Sequence, residues 1–156
     1  MSFKETINAN TQLGYFEGAI PVSYQYTLGV AGNKFFQTLM NKEEFLVSEC
    51  SNCGIKSIYP LIYCEECFSP IEKFIQIGLE GELYSFTECW LDYQGNRYNT
   101  PHVIGLIRFS GIKGGIIHRI NVNPDDLKIG IKVKAKLKPK KERTGGIEDI
   151  LYFEKV

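Results

Sequence analysis

Four cysteines constrain this chain more than any other feature: Cys50-x-x-Cys53 and Cys64-x-x-Cys67 form two close pairs separated by ten residues. Two residues between thiols let a tight turn aim both sulfurs at one point, and two such turns supply a tetrahedral ion with bonds of about 2.3 Å to sulfur. Gly54, directly after the first pair, suits the positive φ of such turns, whereas Phe68 follows the second and predicts a turn of different shape. A redox motif would use one pair beside a βαβ unit, which the surrounding pattern lacks. Four protein ligands leave no open coordination position, so the expected site is structural.

Zinc is the favoured metal; iron also accepts four thiolates, at the spacing of rubredoxin, and the sequence leaves that choice open. An iron-loaded ribbon would be an electron carrier. Around the cysteines, Phe45 and Val47 alternate with polar neighbours and run into Cys50, while Ile58, Tyr59 and Ile62 lead into Cys64. Short strands feeding metal-binding turns are expected there. The fifth cysteine, Cys89, stands alone between Glu88 and Trp90 and reads as a buried, inert thiol.

On either side of this ribbon the pattern changes. Residues 1–30 mix glycines and Pro21 with aromatics and show no period, as in an irregular arm. From Gly32, Asn33 is placed to cap a short helix whose Phe35, Phe36, Leu39 and Met40 share one face. After Pro70, strands are expected at 80–91, 101–109, 115–121, 131–139 and 147–156, separated by turn-rich segments. Asn123-Pro124 opens a short helical turn that Gly130 ends, between the third and fourth strands. The predicted fold is mainly β: a short N-terminal helix, a zinc ribbon and a five-stranded OB-fold barrel. The expected divisions are 1–44, 45–76 and 77–156.

Charge narrows the function classes. Eighteen basic residues balance eighteen acidic ones, so no global field draws the molecule to nucleic acid or anionic lipid. Residues 131–138 alternate strictly, with Lys132, Lys134, Lys136 and Lys138 pointing outward. Those lysines either protect a sheet edge or meet phosphates. His102 and His118 have no serine or spare cysteine at catalytic spacing, and 111–115 is a turn without the Gly-Lys-Ser/Thr of a phosphate loop. The expectation is a protein that is not itself an enzyme. With no secretion signal and no run of 18 apolar residues, a cytoplasmic location without membrane contact is expected.

The order of features is informative: Tyr26-x-x-Gly29, Phe35-Phe36-x-x-Leu39, Cys50-x-x-Cys53-Gly54, Cys64-x-x-Cys67, Gly81-x-Leu83-x-Ser85-x-Thr87 and Ile129-Gly130-x-x-Val133. From about Tyr24 to the C-terminus the chain resembles the acyl-CoA-associated family that joins a rubredoxin-like zinc ribbon to an OB fold. The resemblance implies a non-catalytic subunit or scaffold beside thiolase-like or other acyl-CoA enzymes, with acyl-CoA as ligand. Many relatives carry Pro-Pro-Arg before the third cysteine and Gly after the fourth, where this chain has Tyr59-Pro60-Leu61 and Phe68. Within that scheme Lys132, Lys134 and Lys136 are candidates for the CoA phosphates, and Tyr24, Phe35 and Phe36 for the pantetheine path. The rival reading is a zinc-ribbon/OB protein that binds single-stranded nucleic acid, against which the zero net charge weighs.

Overall fold

The structure, a computed structural model, describes residues 26–92 and 94–156. Tyr24 and most of the expected irregular arm lie outside those residues. One α-helix is present among the described residues, α1 (Gly29–Lys42). It begins four residues before the expected Asn33 cap: Leu28 holds the N-cap position without a side-chain bond, and the Gly29 N–H donates to the Thr27 hydroxyl at 3.2 Å. Ala31, Gly32, Phe35 and Leu39 are buried on one face at helical spacing. Glu43 ends the helix in the left-handed conformation, its N–H donating to the Leu39 carbonyl at 3.2 Å. No helix among the described residues is long and apolar enough to cross a membrane.

Three short strands form the ribbon sheet, in the order β2–β1–β3: β1 (Phe45–Glu49), β2 (Lys56–Ser57) and β3 (Lys73–Ile77), all antiparallel. β3, absent from the expected elements, pairs along the whole of β1, from Phe45 opposite Ile77 to Glu49 opposite Lys73. Its apolar residues are only half-buried, which is why the alternation was weak. Ser48, buried in β1, donates to the Tyr59 carbonyl at 3.0 Å and accepts the Leu61 N–H at 3.0 Å, pinning the chain that leads into the second cysteine pair.

The second half closes into the expected barrel, with strands β4 (Glu80–Leu91), β5 (Arg97–Arg108), β6 (Ile116–Asn121), β7 (Lys132–Leu137) and β8 (Ile150–Lys155) in the order β4–β5–β6–β8–β7. Consecutive strands β4 to β6 form a meander, β6 runs parallel to β8, and β4 closes on β7. β5 begins earlier than the expected 101, at Arg97, where Asp92 accepts the N–H groups of Gln94 (2.9 Å) and Asn96 (2.8 Å). Pro101 sits inside β5 where the ladder is irregular, the place a residue without an N–H is tolerated. Pro124–Asp126 forms a single 3₁₀ turn between β6 and β7, as the Asn-Pro signal suggested. The lysine strand β7 is no edge, since it is bonded to β4 and β8; edge protection does not account for its charges.

Helix, ribbon and barrel bury one continuous apolar core. Phe45, the first residue of β1, is completely buried at its centre, with Phe35 stacked at 6.0 Å, Phe109 edge-on at 5.4 Å and Phe153 stacked at 6.4 Å. A second tie is polar. The buried Arg143 guanidinium donates to the carbonyls of Lys138 (2.7 Å) and Met40 (3.0 Å) and to Glu43 (2.8 Å), joining the barrel's last loop to the end of α1. In that loop the fully buried Asp149 accepts the N–H groups of Thr144 and Gly145, both at 2.8 Å. Burial alone would raise its pKa, but these N–H groups, that of Gly146 and the charge of Lys138 outweigh it and hold the carboxyl below its ordinary range.

Two outcomes follow. Phe45→Ala leaves a hole between three elements and lowers stability by about 3–5 kcal/mol in chemical denaturation, with ribbon and barrel probes shifting together. Because the Asp149 pKa is depressed in the folded state, its contribution is present above the unfolded value of about 3.9 and is lost as pH falls through the folded value. Stability measured against pH in Asp149→Asn should therefore show a shallower acid limb than the wild type.

Candidate metal centre

The four cysteine sulfurs converge, all within 4.8 Å of one another. Cys50–Cys67 and Cys53–Cys64 are 3.5 Å apart and Cys53–Cys67 3.7 Å. A tetrahedron with bonds of about 2.3 Å has edges of about 3.8 Å, so the spacing fits one thiophilic ion; disulfides, at about 2.05 Å, do not describe it. All four are free thiols.

Two equivalent turns produce this convergence. In the first, the Gly54 N–H donates to the Cys50 carbonyl at 2.9 Å and the Cys50 N–H to the Ile55 carbonyl at 2.9 Å. In the second, Phe68 donates to Cys64 at 3.0 Å and Cys64 to Ser69 at 2.9 Å. Gly54 has φ +73° and Phe68 φ +58°, so the second turn has the same shape as the first despite lacking the glycine. The expectation of a different turn was wrong, because the hydrogen-bond pattern around the cysteines overrides the preference of the residue after them. A Cβ in the left-handed region is strained by about 1–2 kcal/mol.

The electrostatics point to a cation. The Ser69 hydroxyl, the Asn52 side chain and the Ser69 N–H hold the Cys67 thiol down to about 5. At Cys53 the Ile55 N–H lowers the pKa, but burial and the neighbouring Cys50, Cys64 and Cys67 outweigh it and push the thiol up to about 12. Sulfurs this close resist carrying negative charge together, and a cation at their centre removes that resistance. The coordination set is all thiolate, with no side chain left over for chemistry on a fifth ligand.

The ribbon is fastened to the barrel by 111–115, which the sequence marked only as a turn. Lys113 donates its N–H to the Lys56 carbonyl (2.8 Å) and accepts that of Ile58 (3.1 Å), extending β2 by a parallel bridge. Its ammonium meets Glu65 at 3.2 Å and Glu66 at 2.6 Å, beside the second cysteine pair. A Cβ on Gly114 would fall 2.7 Å from the Tyr59 ring, so that turn requires glycine for the approach as well as for its φ of +87°.

Of the other expected site residues, those described lie on two elements, the lysines on β7 and the phenylalanines on α1. Lys132, Lys134 and Lys136 project from β7 opposite carboxylates: Lys132–Glu82 at 3.0 Å, Lys134–Glu80 at 3.1 Å and Lys136–Glu154 at 3.8 Å. Phe35 is buried in the core and Phe36 half-buried, edge-on to it at 5.2 Å. Tyr24 lies outside the described residues. His102 packs against Tyr98 at 4.3 Å, while burial lowers the pKa of His118 near Phe153. Cys89 is half-buried. The pairing of the β7 lysines with carboxylates of β4 and β8 was hidden in sequence, since their partners lie on other strands.

Replacing Cys64 by Ser removes one thiolate, and elemental analysis of the purified variant should show bound metal falling from stoichiometric to near zero. Acid acts in the same direction, because protons compete for the ligands: lowering the pH should release metal from the wild type, read with a colorimetric chelator.

Residues 75–138 match the family model of the ChsH2 C-terminal OB-fold domain. Solved structures similar to the chain include two of the same architecture. A DUF35-family protein of unknown function from Sulfolobus solfataricus is 29% identical with a TM-score of 0.66, the match covering 82% of this chain and 87% of that one. A structure described as the Ltp2-ChsH2(DUF35) aldolase is 18% identical with a TM-score of 0.55, covering 79% of this chain and 93% of that one. No curated protein matches the sequence. The second structure goes against the expectation of a protein that is not itself an enzyme: the neighbour with a named function is described as an aldolase, formed of Ltp2 with ChsH2(DUF35). Residues 75–138 thus match the model of the ChsH2 C-terminal OB-fold domain, and the cluster of four cysteines that the sequence resemblance calls for precedes them.

Proposed function

We propose that this chain is a subunit of an acyl-CoA enzyme complex, in which its ribbon docks on a thiolase-like or related partner and ribbon and barrel together help to hold acyl-CoA. The metal in this reading is zinc, which would stabilise the ribbon; structural zinc binds zinc-finger peptides with about 10–16 kcal/mol at neutral pH. Free thiols suit a reducing compartment such as the cytoplasm. In this reading the N-terminal helix of segment 1–44 joins the ribbon, 45–76, in docking, while the ribbon and the barrel, 77–156, together border the acyl-CoA.

One observation carries the docking half. Phe68 is held 79% exposed in a strained left-handed conformation beside the metal ligands, and Tyr59, Ile62 and Tyr63 of the same loop are exposed as well. An exposed aromatic that strains the backbone adds nothing to the fold, whereas aromatics buried at interfaces are strong binding anchors. The aldolase whose chain shares this fold is named as an assembly of ChsH2(DUF35) with Ltp2, which supports the same arrangement.

The ligand half rests on the resemblance. Lys132, Lys134 and Lys136 are the proposed phosphate contacts, and their exposed carboxylate pairs are weak enough for a phosphate to exchange with them. Tyr24 and Phe36 are proposed along the pantetheine path, with Phe35 supporting Phe36 from behind.

Phe68→Gly separates docking from folding. Relief of the left-handed strain should raise stability by about 1 kcal/mol, while the variant, returned to its source cells, should lose the acyl-CoA enzyme that co-purifies with the wild type. A wild type that purifies alone, and whose spectra do not change on adding acetoacetyl-CoA, would reject the reading.

A further inference from the structure

A cleft of about 430 Å³ lies on the barrel between β4, β5 and β7. Its wall is a stacked pair: the Arg108 guanidinium lies over the Tyr84 ring, 3.6 Å from the centroid. Two backbone features put the pair there. The β4–β5 ladder shifts register between Leu83 and Ser85, which leaves Tyr84 as the extra residue of a bulge, and bulges re-aim the side chain they carry. At Gly81, on the cleft's floor, a Cβ would fall 2.9 Å from the Arg108 carbonyl oxygen, so only glycine lets β4 lie this close to the strand bearing the guanidinium. Lys132 and Ser110 complete the rim.

Charge matching inside the cleft is uneven. Its two carboxylates, Glu82 and Glu80, are engaged by Lys132 at 3.0 Å and Lys134 at 3.1 Å. Arg108 meets no carboxylate among the described residues. The cleft therefore keeps one guanidinium without a counter-ion, held flat by an aromatic ring, with an ammonium and a hydroxyl nearby. A guanidinium offers paired N–H groups in its plane to phosphate oxygens and a flat face to another planar group. A ligand using both carries a phosphate and a planar ring together; an isolated carboxylate or acyl chain would use neither the stack nor the surplus charge fully.

We propose that this cleft binds a nucleoside phosphate, with its phosphates on Arg108, Lys132 and the Ser110 hydroxyl and its base stacked on the Arg108–Tyr84 pair. Of the three β7 lysines considered for CoA, only Lys132 lines the cleft, and Tyr84, Arg108 and Ser110 are new to the site. The proposal rests on the acyl-CoA reading for the source of the ligand alone, since coenzyme A and free adenine nucleotides present the same group.

The test is a calorimetric titration of the full-length metal-loaded protein with ADP, coenzyme A, adenosine and inorganic phosphate, repeated on Arg108→Gln, Tyr84→Ala, Tyr84→Phe and the distant surface control Lys140→Gln. ADP should bind more tightly than adenosine or phosphate. Arg108→Gln should weaken ADP about tenfold or more, the loss expected for a hydrogen bond to a charged group. Tyr84→Ala should weaken ADP while Tyr84→Phe and Lys140→Gln do not. The cleft is rejected if ADP binds no better than phosphate, or binds Arg108→Gln as well as wild type, or binds not at all. Coenzyme A bound equally by wild type and Arg108→Gln rejects the cleft and spares the acyl-CoA reading. ADP bound through Arg108 without any response to coenzyme A does the reverse.

Discussion

Phe45 is the point on which the rest of the molecule depends. It opens the first ribbon strand, yet its ring lies among Phe35 of the helix and Phe109 and Phe153 of the barrel. A ribbon of three short strands has too little apolar surface to bury on its own. By sending one aromatic into the neighbouring barrel it shares a core large enough to hold all three elements, and the barrel in turn is closed over at that end. Arg143 and Lys113 act in the same direction with polar groups, the first tying the barrel to the helix end and the second tying it to the ribbon.

With the ribbon held this way, the cysteine turns bury Cys50 and Cys64 and leave Cys53 exposed. Their near-identical hydrogen-bond patterns impose one geometry on two different sequences, and Phe68 bears the strain of the second. The strain has a structural cause in the turn and a physical result in the exposure of a large aromatic next to the metal ligands. Fold and candidate docking surface are in this sense one feature.

The barrel shows the opposite economy of charge. A strand that reads as a row of four cations presents almost no net field, because three of its lysines face carboxylates on the strands beside it. That neutrality weighs against a basic groove for nucleic acid, and it makes the unmatched Arg108 stand out in a way that no count of lysines reveals.

Local signals in the sequence determined the kind of elements and their order. The cysteine spacing specified a four-thiolate cluster, because two-residue spacers can aim two sulfurs at one point. Alternating apolar residues specified the barrel strands, because side chains in a strand face two sides in turn. The Asn-Pro pair specified the 3₁₀ turn, because proline fits only the start of a helical turn. What those signals could not carry were relations between distant residues. The start of α1, the third ribbon strand, the positive φ of Phe68, the docking of Lys113 and the pairing of each β7 lysine were decided only by tertiary structure. Each depends on which backbone or charge lies across a gap of tens of residues, and only the closed core brings those groups within reach of one another.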